Sequence, residues 1–161
     1  VPTWLHPIVG NALVLSTVCA VALNLAMRIG VRQTVVLTGD DGPPSTARVE
    51  KFLTANGSHW AARRDIVGTA IFGTVQVLEV LGSRTGPVEI EASFDEYSLD
   101  IRIRADGPPP RIPDERPTPR EIVMRDDGEL LLAGYLLRRN ADRIVSRATG
   151  GRMEIHLHFD H

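Results

Sequence analysis

Cysteine is nearly absent from this chain of 161 residues, since its one copy, Cys19, lies inside an apolar stretch. An intrachain disulfide is therefore excluded, and the composition fits a reducing compartment. The motifs of common catalytic sites are missing too, because no Gly-x-Ser-x-Gly elbow, Walker A loop or His-Glu-x-x-His pair occurs. Without a candidate nucleophile, we do not expect an enzyme.

Charge is missing from residues 8–27, which are dominated by alanine, valine and leucine. An apolar helix needs about 20 residues to cross a hydrocarbon core of about 30 Å. The stretch therefore predicts one membrane-spanning helix. The length of the chain leaves room for a single further domain of ordinary size.

The basic residues closest to this helix, Arg28 and Arg32, follow it in the sequence. A secretory signal peptide has the opposite order of charge, and the positive-inside rule places the residues after the helix in the cytoplasm. We therefore expect a protein of the cell inner (plasma) membrane with a cytoplasmic C-terminal domain. Because the chain begins without methionine, we expect it to be a piece of a longer polypeptide.

An excess of basic charge is absent from the rest of the chain. After residue 39, sixteen lysines and arginines face twenty aspartates and glutamates. A nucleic-acid-binding domain typically carries the opposite balance. Nucleic acid is therefore not an expected partner.

Two asparagines, Asn11 and Asn24, lie in the apolar stretch together with several small residues. A helix surrounded by lipid alone has no need of them, whereas a helix in a bundle uses them for hydrogen bonds and close packing. The composition thus favours the end of a larger membrane domain. A simple anchor for a plain binding module is the alternative.

The same stretch resembles the last membrane helix of xanthine/uracil-type permeases, the nucleobase:cation symporters. The resemblance rests on three runs, Pro7-Ile8-Val9-Gly10-Asn11, Leu13-Val14-Leu15-Ser16-Thr17 and Val21-Ala22-Leu23-Asn24-Leu25. It implies a C-terminal fragment of an ion-coupled nucleobase transporter, with the lipid bilayer and the remaining transmembrane helices of the same polypeptide as partners. That family's transport sites lie on earlier helices, so no transport residue is assigned here.

Composition divides the chain into residues 1–37, a helix with its flanks, a turn-forming linker at 38–44, and an α/β domain at 45–161. Ser45 is expected to cap a short helix that stops at Gly57. Apolar residues then recur at helical spacing over residues 59–81, and Gly82 ends that helix.

After residue 82 the apolar period changes to two, which predicts a β-hairpin at residues 88–103 with its turn at Asp95-Glu96. A lid-like, proline-rich connection is expected at 105–128, because proline cannot lie inside a helix or a central strand. A helix at 129–140 follows. Strands at 143–146 and 152–159 with a turn at Gly150-Gly151 complete the domain.

This order of elements resembles the ATP-binding domain of histidine kinases and anti-sigma-factor serine kinases. Three segments carry the resemblance, at residues 99–109, 136–142 and 150–159. It implies a histidine-kinase-like α/β two-layer sandwich with helices on one face of a mixed or antiparallel sheet.

The resemblance also assigns positions to a nucleotide site. Gln76 takes the place of the Mg²⁺-holding asparagine, but Phe72 replaces the glutamate that would orient water. Asp106 and Gly107 match the adenine-binding loop only after a shift by one residue, since Ala105 holds the position in register. The expected phosphate-binding glycines are replaced as well.

The phosphate-binding Gly-x-Gly falls on Leu131 and Ala133. We therefore expect no cofactor, and ATP with Mg²⁺ remains the alternative, through Gln76, Asp106 and Gly107. The expected function is that of a transporter fragment whose cytosolic domain regulates or docks, as a homodimer or on a cytosolic protein. A membrane-anchored nucleotide-binding protein kinase is the competing hypothesis.

Glu154, His156 and His158 alternate along the last predicted strand and so share one face. Two imidazoles on one face could bind zinc or nickel. The alternative is the polar side of a half-buried edge strand whose Ile155, Leu157 and Phe159 face the core.

Overall fold

A computed structural model describes residues 12–28, 32–82, 86–125 and 127–161. The chain divides into two compact units, Val1–Arg32 and Gln33–His161.

The first unit contains helix α1, Ala12–Arg28. Ser16 and Thr17 both donate their side-chain hydroxyls to the carbonyl oxygen of Leu13, at 2.9 Å each, so their polar groups are satisfied within the helix. The predicted span begins at residue 8, and residues 8–11 lie outside the described part of the chain. Within that part, no helix is both long enough and apolar enough to cross a membrane.

The second unit is built on a five-stranded sheet in which every neighbouring pair is antiparallel and the strand order is β1-β2-β3-β5-β4. The strands are β1 (Gln33–Gly39), β2 (Val88–Phe94), β3 (Ser98–Asp106), β4 (Arg143–Thr149) and β5 (Arg152–Asp160). In the described part of this unit there are four helices, namely α2 (Thr46–His59), α3 (Arg64–Leu81), α4 (Pro119–Met124) and α5 (Gly128–Asn140). The result is the expected α/β domain, with the antiparallel form of the sheet.

One face of the sheet is apolar because side chains alternate along each strand. Its fully buried residues include Ile90, Ile101, Ile103, Ile155 and Leu157. Helices α2, α3 and α5 add their own buried side chains to this core, among them Val49, Val77 and Leu137. The opposite face carries the charged and histidine side chains, so the polar surface lies on the side of the sheet away from the core.

Strand β1 was not predicted. Residues 33–39 were assigned to the helix flank and the linker, whereas they pair with β2 along their whole length, from Gln33 opposite Phe94 to Gly39 opposite Val88. The physical reason is that Val35 and Leu37 pack at the margin of the core. In a strand this short, next to an apolar helix, the alternation of apolar and polar residues is too brief to be recognised from the sequence.

The expected helix stop at Gly57 is wrong. Gly57 lies inside α2, and a Cβ atom added there would approach Cγ2 of Val67 to 2.6 Å. The glycine therefore permits close packing of α2 on α3 rather than a left-handed turn. The turn comes later, at Ala61 with φ of 55°, and α3 begins at Arg64 instead of residue 59.

The remaining elements follow the predictions closely. Gly82 ends α3 with φ of 58°, and the β2–β3 hairpin turns at Asp95-Glu96. The proline-rich connection contains one helix that was not expected, α4, which begins with a capping box between Thr118 and Glu121. Strand β5 is flanked by β3 and β4, so its expected position at a sheet edge is wrong.

Candidate functional site

The position expected to hold Mg²⁺ lies on α3, where Gln76 is half-buried. Its side-chain amide donates a 2.8 Å hydrogen bond to Oε2 of Glu79, one turn further along the helix. Phe72, at the position of the water-orienting glutamate, is 44% exposed. A phenyl ring can neither accept nor donate the proton that this position needs.

The expected adenine-binding pair lies where β3 ends. Asp106 forms an ion pair with Arg152, with 3.3 Å from Oδ1 to Nε. Gly107 has φ of 103° and donates its backbone N–H to the carbonyl of Gly151 at 3.0 Å. Both residues thus join the end of β3 to the β4–β5 turn.

The two positions expected to approach phosphate lie inside α5. The backbone N–H of Leu131 donates to the carbonyl of Asp127 at 3.0 Å, as the first turn of a helix requires. A phosphate-binding turn needs free N–H groups and no side chain in the way. Leu131 and Ala133 both carry side chains and lie inside a hydrogen-bonded helix, so they meet neither requirement.

The proline-rich connection packs on the same helix. A Cβ atom added to Gly134 would lie 3.0 Å from the carbonyl oxygen of Arg111 and 3.1 Å from the ring of Pro113. Further along, Arg138 pairs with Asp114 at 2.6 Å. These contacts hold the lid-like segment against α5.

A second cluster of polar side chains lies on the polar face of the sheet, around Asp100 of β3. Its Oδ1 atom accepts hydrogen bonds from Nε2 of His156 and Nδ1 of His158, both at 2.8 Å. The Asp100 side chain is only 7% exposed. A third polar contact joins Nε2 of His158 to Asp160 at 3.2 Å.

The carboxylate of Asp100 raises the pKa of His158, chiefly through the hydrogen bond to Nδ1, because that bond favours the charged imidazole. Desolvation acts in the opposite direction and is smaller. The histidine alternation was visible in the sequence, but Asp100 was missed as their partner. Only the register, which places Asp100 opposite His158, brings the three side chains together.

Charged side chains fill the neighbouring rows of this face. The Arg104 guanidinium contacts three carboxylates: Glu154 through Nε at 2.9 Å, and Glu89 and Glu91 through one terminal nitrogen at 2.6 and 3.0 Å. The hydrogen bond from Arg104 holds the pKa of Glu154 below its ordinary value. This face is therefore a largely self-neutralised network.

Metal binding was one interpretation of His156 and His158. Among the described residues, no three histidine, cysteine or carboxylate side chains are arranged so that they could hold a metal ion. The core-facing alternation of Ile155, Leu157 and Phe159 is confirmed, since all three are buried.

Comparison with known proteins yields no assignment, because neither a protein-family model nor a curated protein matches the chain.

Proposed function

We propose that this chain is the C-terminal part of an ion-coupled membrane transporter for nucleobases of the xanthine/uracil class. In this proposal, residues 33–161 form a cytoplasmic domain that regulates the transporter or docks on a partner, without binding a nucleotide. The fold of that domain is proposed to derive from the histidine-kinase-like ATPases.

The membrane part of the proposal is supported by α1. Its side chains at residues 12–25 are all exposed, with Leu13 at 77% and Leu23 at 63%. An apolar surface of this kind is covered, in most proteins, by lipid or by other helices. Together with the resemblance of residues 7–25, it favours a helix that belongs to a membrane domain.

The interaction role is supported by the state of the three nucleotide positions. The interaction role rests mainly on Leu131, whose backbone N–H is already bonded within α5. Gln76 and Asp106 likewise have partners within the domain, Glu79 and Arg152. Binding of a phosphate at Leu131 would require the hydrogen bond of its N–H to Asp127 to be replaced.

Uptake of radiolabelled xanthine and uracil tests the proposal, in cells that express the full polypeptide containing this chain. We expect saturable uptake that depends on an ion gradient. A polypeptide ending after Arg32 should still transport, at a changed rate, because only the regulatory domain is lost.

Absence of uptake of both nucleobases would contradict the transporter assignment. Identical uptake by the full and the shortened polypeptide, at matched membrane abundance, would contradict the regulatory role of residues 33–161.

A further inference from the structure

Strand β1 lies at an edge of the sheet, and within the described residues its only strand partner is β2. Its seven residues, Gln33–Gly39, include no charged residue and no proline. Edge strands with free backbone N–H and C=O groups usually carry such residues, because these prevent pairing with another chain. Strand β1 has neither protection.

The opposite edge of the same sheet is different. Strand β4 carries Arg143 and Arg147 within its seven residues. Positive charge along an edge disfavours the addition of a further strand. The two edges of the sheet are therefore not equivalent, and β1 is the one suited to pairing.

The side chains of β1 also leave apolar surface uncovered. Val36 is 53% exposed on the polar face of the sheet. Val35 and Leu37 point to the other face and are only half-buried at the margin of the core. An added strand would cover all three, because side chains on adjacent strands pack directly against each other.

We propose, as a specific form of the interaction role above and resting on it, that β1 pairs antiparallel with β1 of a second copy of this chain. Centred on Val36, this pairing uses the whole strand. It places Val36 opposite its own copy, Thr34 opposite Thr38, and Val35 opposite Leu37. Antiparallel partners point to the same face, so the apolar faces of both sheets lie on one side.

A second copy fits this edge better than a charged peptide does, because the strand is self-complementary. No charge meets a like charge in the two-fold pairing, and each threonine faces a threonine, a pair that can hydrogen-bond. Strand β1 also follows closely on α1 in the sequence. Copies held in one membrane through that helix would meet at a raised effective concentration.

The test compares the same substitution at the two edges. Val36 and Val145 stand at opposite ends of one cross-sheet row, which runs through Glu91, Arg102 and His156. Sedimentation equilibrium of the chain in detergent micelles gives its mass. We expect a dimer for the unmodified chain and for Val145→Lys, and a monomer for Val36→Lys at the same concentration.

Cross-linking tests the register. In a Cys19→Ser background, Val36→Cys should form an intermolecular disulfide under mild oxidation, because directly opposite Cα atoms lie about 4.5–5.5 Å apart, within disulfide reach. Cysteine at Val145 serves as the control and should stay unlinked. Circular dichroism of each variant confirms that the sheet is intact.

Three results would overturn the pairing: a monomeric unmodified chain, a Val36→Lys variant that stays dimeric, or a dimer lost on Val145→Lys. If Val36→Lys loses the circular dichroism signal of the sheet, the Val36→Cys variant decides instead. Its failure to form the intermolecular disulfide would also overturn the pairing. Mass and cross-linking do not depend on transport, so a failed uptake assay leaves this result unchanged.

Discussion

Replacement of Asp100 by Asn should lower the free energy of unfolding, and by more at about pH 5.5 than at about pH 8. The buried Oδ1 atom accepts two imidazole hydrogen bonds of 2.8 Å. The carboxylate is charged at both pH values, so the pH-dependent part of the loss is its added attraction for His158 when that imidazole is charged. We expect this part to be about 1 kcal/mol.

The loss of stability is larger at the lower pH because the pKa of His158 is raised in the folded chain. A histidine whose pKa is higher in the folded state contributes stability that is fully present below its unfolded pKa of about 6.5. That stability is lost as the pH rises through the folded pKa. The unmodified chain should thus gain stability from this contact on acidification, and Asp100→Asn should remove that gain.

Urea denaturation of the chain in detergent, followed by circular dichroism of the sheet, measures both effects. Glu50→Gln, which removes an exposed carboxylate on α2, is the matched control and should change stability equally at both pH values. An equal loss at both pH values for Asp100→Asn would refute the role assigned to His158. No loss at either would refute the contact itself.

Two further predictions concern packing and charge. Gly57→Ala should destabilise the chain by about 1–3 kcal/mol, because its Cβ would overpack Val67. Gly68→Ala meets open space on α3 and should stabilise the chain by about 0.5–1 kcal/mol. Thermal denaturation measures both changes in stability, and two changes in the same direction would contradict the packing account. Arg104→Met should leave three carboxylates without their shared guanidinium, so the pKa of Glu154 should rise toward its ordinary value. Carbon-13 NMR titration measures this pKa. An unchanged value would show that the ion pair with Arg104 does not lower the pKa of Glu154.

Much of the fold follows from local periodicity, because alternating residues in β2, β3 and β5 have to bury one face. Strand β1 was missed because its apolar residues form a strand by pairing with β2, more than fifty residues later in the sequence. Gly57 was misassigned because a glycine can serve either a helix end or a close helix contact. Sequence alone does not distinguish the two.

The candidate site was harder to predict than the fold. His156 and His158 were recognised as sharing one face, yet their acceptor Asp100 lies 56 and 58 residues away in the sequence. Strand order decides which polar side chains meet, and strand order is not a local property. The positions of Gln76, Asp106 and Leu131 depended on a resemblance, and their contacts within the domain became visible only in the structure.

Calorimetric titration of the chain in detergent with ATP and Mg²⁺ tests most directly the central claim, that the domain acts through contacts and not through a nucleotide. The account predicts no heat of binding up to millimolar ATP, because the Leu131 N–H at the expected phosphate position is already bonded within α5. Binding in the micromolar range that is lost on Asp106→Asn would contradict it. That result would favour a membrane-anchored nucleotide-binding kinase instead.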